Sequence, residues 1–115
     1  MGIRLRISGT DSTVSYDSAY FYRLDASFAN SKSGLSYAWC GGIGNRRFGS
    51  EINVYDPFNT SFTALFANTS TSGDSNQMAA SSGTIHVVSA SYTGFTLFPT
   101  AGTITGSVSV YGFNK

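Results

Sequence analysis

Short segments of alternating apolar and polar residues, each ended by Gly, Asn, Asp, Ser or Pro, restrict the fold more than any other feature. Such segments lie at residues 3–7, 20–28, 35–39, 50–55, 62–67, 84–91, 95–98 and 104–113. No window shows the i, i+3, i+4, i+7 apolar spacing of an amphipathic helix. The pattern predicts an all-β fold: one domain over residues 1–115, a jelly-roll-like antiparallel β-sandwich of about eight strands.

Polar and glycine-rich segments predict the loops between these strands. Residues 30–34 are predicted as a turn and residues 43–49 as a loop, and Asp56-Pro57 interrupts pairing because proline lacks the N–H of a ladder. The long polar run at residues 68–83 is predicted as an exposed contact loop. The ligand-contact candidates near these loops are Asp74, Asn76, Gln77, Arg46, Arg47 and Trp39.

Charged residues make up only 11% of the chain, against about 25% in an average domain. Covering a surface of hydroxyls and amides carries a small desolvation cost, so this composition favours packing into an assembly.

The net charge is +1 and the Lys and Arg residues are dispersed, so we expect no nucleic-acid partner. No apolar run has the length of a membrane span or the form of a signal peptide, so we expect neither membrane insertion nor secretory export.

The chain offers few groups for chemistry. Its single histidine, His86, lies mid-strand with Thr84 and Val88 on its face, which favours a structural role, and Cys40 is predicted as a small buried apolar group. One His and one Cys cannot complete a zinc site, and no Gly-x-Ser-x-Gly is present. A glycosidase-type carboxylate pair stays open, because Glu51 and five Asp are present, although turn formation explains most of them. We expect no catalytic residue, metal or cofactor, and hence no enzyme.

The C-terminal segment of the chain resembles a segment of known proteins. Residues 102–112, Gly-Thr-Ile-Thr-Gly-Ser-Val-Ser-Val-Tyr-Gly, are the most specific part of a segment, 92–115, that resembles the C-terminal ending of many tailed-phage virion proteins, especially those of marine and cyanobacterial phages. Residues 51–60 and 3–9 are similar to the strands that precede that ending. The resemblance implies a β-sandwich domain of a tail-fibre, tail-tip or capsid-surface protein, without catalytic residues. It also implies a homo-oligomer, with a trimer favoured, in contact with other virion proteins.

As a strand, residues 104–113 would place Ile104, Val108 and Val110 on one face and Tyr111 and Phe113 on the other. The last two would cap this domain's own core or pack against a second copy. The interface candidates are Tyr111, Phe113, Arg4 and Arg6.

The expected function is therefore that of a non-enzymatic virion component, made in the host cytoplasm, that acts in assembly or host attachment, with a host surface glycan as a further expected contact. The alternative is a carbohydrate-binding module in which Trp39 or exposed tyrosines stack on sugar rings.

Overall fold

Nine strands form the regular structure of the described chain. A computed structural model describes residues 1–22, 30–42, 46–72 and 78–112. Within those ranges there is no helix, and accordingly none that could span a membrane. The strands are β1 (Gly2–Ile7), β2 (Thr10–Asp11), β3 (Tyr16–Tyr22), β4 (Asn30–Leu35), β5 (Ala38–Trp39), β6 (Arg47–Tyr55), β7 (Ser61–Ser72), β8 (Met78–Ala90) and β9 (Gly94–Phe98). The prediction of an all-β chain is confirmed.

The strands form two antiparallel sheets. In the small sheet, β2 and β5 pair with one side of β1, and β9 pairs along it from Gly94 to Phe98. The large sheet has the order β4-β3-β8-β7-β6, in which β6, β7 and β8 are neighbours both in sequence and in space. The two-layer arrangement expected of a β-sandwich is confirmed.

The core lies between the sheets and is small. Its buried apolar residues are Ile3, Leu5, Tyr16, Ala38, Cys40, Leu65, Ala67 and Tyr92. Along β7, Leu65 and Ala67 point inward, whereas Phe62, Ala64 and Phe66 share the outer face of the sheet. The period of two was therefore predicted correctly for this strand, and packing decided which side is covered.

The predicted contact loop at residues 68–83 is wrong over its described part. The chain continues in β7 as far as Ser72 and resumes in β8 at Met78, and these two stretches pair with each other as antiparallel strands, whereas residues 73–77 lie outside the described residues. Thr69 and Ser82 are buried on the inner side of the sheet, and Ser81 Oγ donates to Asn68 Oδ1 at 2.6 Å on the outer side. Backbone pairing between β7 and β8, together with hydrogen bonds such as that of Ser81, allows polar residues to extend the strands beyond their apolar segments, although the buried Thr71 Oγ1 has no hydrogen-bond partner within the described chain.

Two other strand boundaries also differ from the prediction. Residues 30–34, predicted as a turn, belong to β4, and the predicted loop at 43–49 overlaps β6, which begins at Arg47. The predicted break at Asp56-Pro57 is confirmed, because β6 ends at Tyr55 and Asp56 adopts a φ of 50°. A left-handed residue followed by proline cannot continue a strand.

The predicted last strand is also wrong over its described part. Residues 103–112, which we call the C-terminal arm, belong to no strand, and every one of them is exposed. An isolated strand is unstable without a neighbour to receive its backbone hydrogen bonds. In the described part of the chain, the C-terminal arm pairs with no strand.

Buried tyrosine hydroxyls join the two sheets. Tyr16, on β3, accepts a hydrogen bond from the Leu5 N–H of β1 at 2.8 Å, and its hydroxyl lies 3.3 Å from the Ser12 carbonyl oxygen, to which it donates. Burial raises the pKa of Tyr16 to about 12. The hydroxyl therefore stays neutral and retains its hydrogen atom for donation.

His86, on β8, extends this cluster and is fully buried. Its Nε2 lies 3.0 Å from the Val14 carbonyl oxygen, and its Nδ1 contacts the Tyr92 hydroxyl. Because a carbonyl only accepts, Nε2 carries the hydrogen and Nδ1 accepts from Tyr92. Burial lowers the pKa of His86, against a smaller opposing effect of the bond to Val14. The expected structural role agrees with these contacts.

Replacement of Tyr16 by phenylalanine tests the bond between the sheets. Tyr16→Phe leaves the buried Leu5 N–H without its acceptor, which costs about 1–3 kcal/mol of the free energy of unfolding. Urea denaturation measures this loss. The control Tyr55→Phe removes an exposed hydroxyl and should stay within about 0.5 kcal/mol of the parent; equal effects in the two variants would contradict the assigned role of Tyr16.

The buried imidazole predicts a pH dependence of stability. Because the pKa of His86 is lower in the folded chain than its ordinary 6.5, the unfolded chain binds the proton more readily. The stabilisation is therefore complete above about pH 6.5 and declines as the pH falls through the folded-state pKa. NMR titration follows the imidazole directly, since the chain has one histidine. A midpoint at or above 6.5 in the folded protein would contradict the prediction.

Candidate functional site

The outer face of the large sheet exposes a group of large apolar side chains. We call Phe21, Tyr55, Phe66 and Ile85 the apolar face; Phe21 is 59% exposed and Ile85 49%. They come from four adjacent strands, β3, β6, β7 and β8. Tyr55, Phe66 and Ile85 border one surface depression. Grouped exposed apolar side chains are typical of interaction surfaces, so the face is a candidate interaction surface.

Small residues between these side chains give the face its shape. Gly83 pairs with Phe66 on one side and with Ala19 on the other, and Ala64 pairs with Ile85. The missing bulk leaves a shallow depression of about 650 Å³ beside Phe66. Such a surface can receive a protruding side chain of a partner.

Charged groups lie at the rim of the apolar face. Asp17 and Lys32 line the edge of the depression, and Asp17 Oδ1 accepts the Gly34 N–H at 2.8 Å. On the opposite side, Glu51 Oε1 accepts a hydrogen bond from Asn53 at 3.1 Å. An apolar centre inside a polar rim is the usual arrangement of a protein–protein interface.

The two faces of β8 have the reverse of the usual polarity. Ser82, Thr84 and His86 are buried on the core side, whereas Ile85 and Val87 are exposed on the outer side. Ser82 donates to the Trp39 carbonyl oxygen at 2.7 Å. The core side is polar because it forms hydrogen bonds, and the alternation of the strand leaves apolar side chains outside.

The C-terminal arm is a second uncovered apolar feature. Val108 is 65% exposed, Val110 69% and Tyr111 82%. The arm has strand-like alternation without a paired strand in the described chain. Of the interface candidates in this segment, Tyr111 is therefore well placed for a partner, and Phe113 lies outside the described residues.

The other two interface candidates, Arg4 and Arg6, contact their own chain. The Arg4 guanidinium lies 4.3 Å from the centre of the Phe98 ring, and its Nε donates to the Ser36 carbonyl oxygen at 3.0 Å. Arg6 forms an ion pair with Asp11 at 3.3 Å. These contacts hold both arginines on the small sheet, and the structure does not bring them to the apolar face.

The ligand-contact candidates are divided between two regions. Trp39 is half-buried, and its ring stands nearly perpendicular to that of Tyr20, 5.9 Å away between centroids. Arg46 is half-buried, and Arg47 is exposed at the start of β6, where it pairs with Ser72. The register thus places Arg47 at the end of the sheet where β7 ends. Asp74, Asn76 and Gln77 lie outside the described residues.

The contact between Ser12 and His86 is not an activated nucleophile. Ser12 Oγ lies 2.9 Å from His86 Nε2, but that nitrogen carries the hydrogen that it donates to Val14, so it cannot take a proton from Ser12. Over the described ranges, no three His, Cys, Asp or Glu residues are grouped so that they could hold a metal ion.

Cys40 is buried, as predicted, at the end of β5. Its backbone N–H donates to the Met1 carbonyl oxygen at 3.1 Å, and burial raises the pKa of its thiol to about 12. The reactive thiolate is therefore scarce at neutral pH. The geometry gives Cys40 a packing role.

The apolar face was missed by the reasoning from sequence. Part of the signal was present, because residues 84–87 alternate polar and apolar side chains, whereas residues 64–67 are all apolar and so place apolar side chains on both faces of β7. That alternation indicates two unlike faces without indicating which one is covered.

No family model matches the sequence, and comparison with curated proteins and with solved structures found no significant match.

Proposed function

We propose that this chain is a non-enzymatic structural subunit of a phage-type virion, of tail-fibre, tail-tip or capsid-surface type. It assembles with copies of itself, with a trimer as the expected state, and with other virion proteins. The observation that carries the proposed assembly is the reversed polarity of β8, whose exposed side bears Ile85 and Val87 and whose buried side bears Ser82, Thr84 and His86.

The apolar face supports self-assembly energetically. Covering Phe66 and Ile85 removes apolar surface from water at about 25 cal/mol per Å², whereas the few charges at the rim add little desolvation cost. The face spans neighbouring strands of one sheet and is therefore broad and rigid. A rigid, apolar and sparsely charged surface is suited to a permanent subunit contact.

The assignment to a virion rests on the chain ending. Residues 102–112 carry the resemblance to tailed-phage virion proteins, and the C-terminal arm within them is the segment that the rest of the described chain leaves uncovered. A segment that contacts neighbouring subunits has to be accessible in this way. The enclosure of His86 and Cys40 supports a function through contact and not through catalysis.

Substitutions on the apolar face test the proposed assembly. We expect the full chain to sediment as an oligomer, and Phe66→Ser with Ile85→Ser to weaken association by about 100-fold, since each covered side chain contributes about 1.5 kcal/mol. The fold should persist, because both side chains point away from the core. Sedimentation velocity and circular dichroism measure association and folding.

A matched control uses the same two strands. Asn68→Ala with Ser81→Ala alters the neighbouring polar pair on the same side of the sheet and should leave the oligomer intact. A full chain that is monomeric at all concentrations and binds no virion component would overturn the proposed function. Glycan binding by a monomer, lost in Trp39→Ala, would favour the carbohydrate-binding alternative.

A further inference from the structure

We propose that the C-terminal arm of one copy adds as an extra strand to the free edge of β6 in a second copy. The inference rests on the proposed function and names one contact of the assembly. Strand addition uses backbone hydrogen bonds for affinity and alternate side chains for specificity.

The arm has the properties of a donor strand. Its ten residues contain no charge and no proline, and Ile104, Val108 and Val110 alternate with Thr105, Ser107 and Ser109. Every residue of the arm is exposed, and it pairs with no strand of the described chain. An unpaired backbone segment gains stability once a neighbouring strand pairs with its N–H and C=O groups.

The edge of β6 is the best acceptor among the open edges of the two sheets. β9 has five residues, and β2 and β5 have two each. β4 has six residues but contains Gly34 at a φ of 66°, and its register with β3 shifts. β6 has nine residues in unbroken register with β7, and within the described chain its other edge is unpaired. A long and regular edge is the preferred template for an added strand.

The side chains of β6 match those of the arm. On the core side, Phe48, Ile52 and Val54 are only half-buried, so the edge of the core is incompletely covered. An added strand with Val108 and Val110 on that side would cover them. Its hydroxyl residues would then lie beside the polar outer side of β6, and the nine residues of β6 accommodate nearly all of the arm's length.

Folding back onto β9 of the same chain would leave the arm half paired. Because β9 has five residues, a hairpin closed by residues 99–102 matches only residues 103–107. Val108 and Val110 would extend past the end of that strand. Addition to β6 of a second copy pairs both halves of the arm.

Cross-linking between two partners, each carrying one introduced cysteine, tests the contact. One set of full-length chains carries Ser107→Cys or Ser109→Cys in the arm, and the other carries Glu51→Cys or Asn53→Cys on β6. Cys40 is buried, so a short bis-maleimide links only the introduced thiols. Each chain has one exposed thiol, so any link joins two copies. We expect links between arm and β6 chains in the mixture, at several-fold higher yield than links between an arm chain and a Thr96→Cys chain on β9.

Two double-lysine variants, which place the same charge on opposite sides of the arm, supply the matched control. Val108→Lys with Val110→Lys puts charge on the side that would face the core of the second copy, and we expect loss of the arm–β6 cross-link. Ser107→Lys with Ser109→Lys adds the same charge on the opposite side. In this variant the cysteine of the arm is Thr105→Cys, and we expect the cross-link to β6 to be retained. Unchanged circular dichroism confirms folding in both variants.

The outcomes separate the two proposals. An oligomer without arm–β6 links, or with links that favour Thr96→Cys or join β6 to β6, overturns the inference and leaves the proposed function standing. Equal loss of the link in both lysine variants also overturns it. A full chain that remains monomeric and gives no link overturns both.

Discussion

The buried cluster of Tyr16, His86 and Tyr92 is the contact on which the two-sheet arrangement depends. A chain of this length can bury only a modest apolar core, and here the inner side of the large sheet includes hydroxyl groups such as that of Thr84, which bonds to Ser18 at 2.8 Å. Cohesion between the sheets therefore comes from directional hydrogen bonds as well as from apolar contact. At the low dielectric of a protein interior such bonds are strong, and a buried polar group left without its partner costs free energy. The bonds therefore specify how the small sheet packs on the large one.

This polar interior also determines the outer surface. Strand side chains alternate, so placing Thr84 and His86 inward places Ile85 and Val87 outward. A slip of one residue would bury the apolar pair but would expel His86 and break its bonds to Val14 and Tyr92. The bonds between the sheets and the exposed apolar face are thus two results of a single register. In the proposed assembly, coverage of that face by another subunit would give both sides of the strand a favourable environment.

The two uncovered features suit different kinds of contact. The apolar face, with Phe66 beside the depression at Gly83, would associate through area and shape. The C-terminal arm would associate through its backbone, which carries direction and register that a flat face lacks. In a closed assembly, arm addition from each copy to the next would build a ring with identical contacts. Because few residues of the chain are charged, both proposed contacts would carry a small desolvation cost.

The sequence by itself determined the all-β class, the central part of β1 at residues 3–7, the break at Asp56-Pro57 and the unlike faces of the strands, because alternation and turn chemistry are local properties. It also determined the buried position of Cys40 and the mid-strand position of His86. Tertiary structure decided which face of β7 and β8 is covered, how far those strands extend through Ser and Thr residues, and that the arm stays outside the sandwich. Those outcomes depend on which distant groups are available as hydrogen-bond partners, and alternation within a strand is the same whichever side those partners occupy.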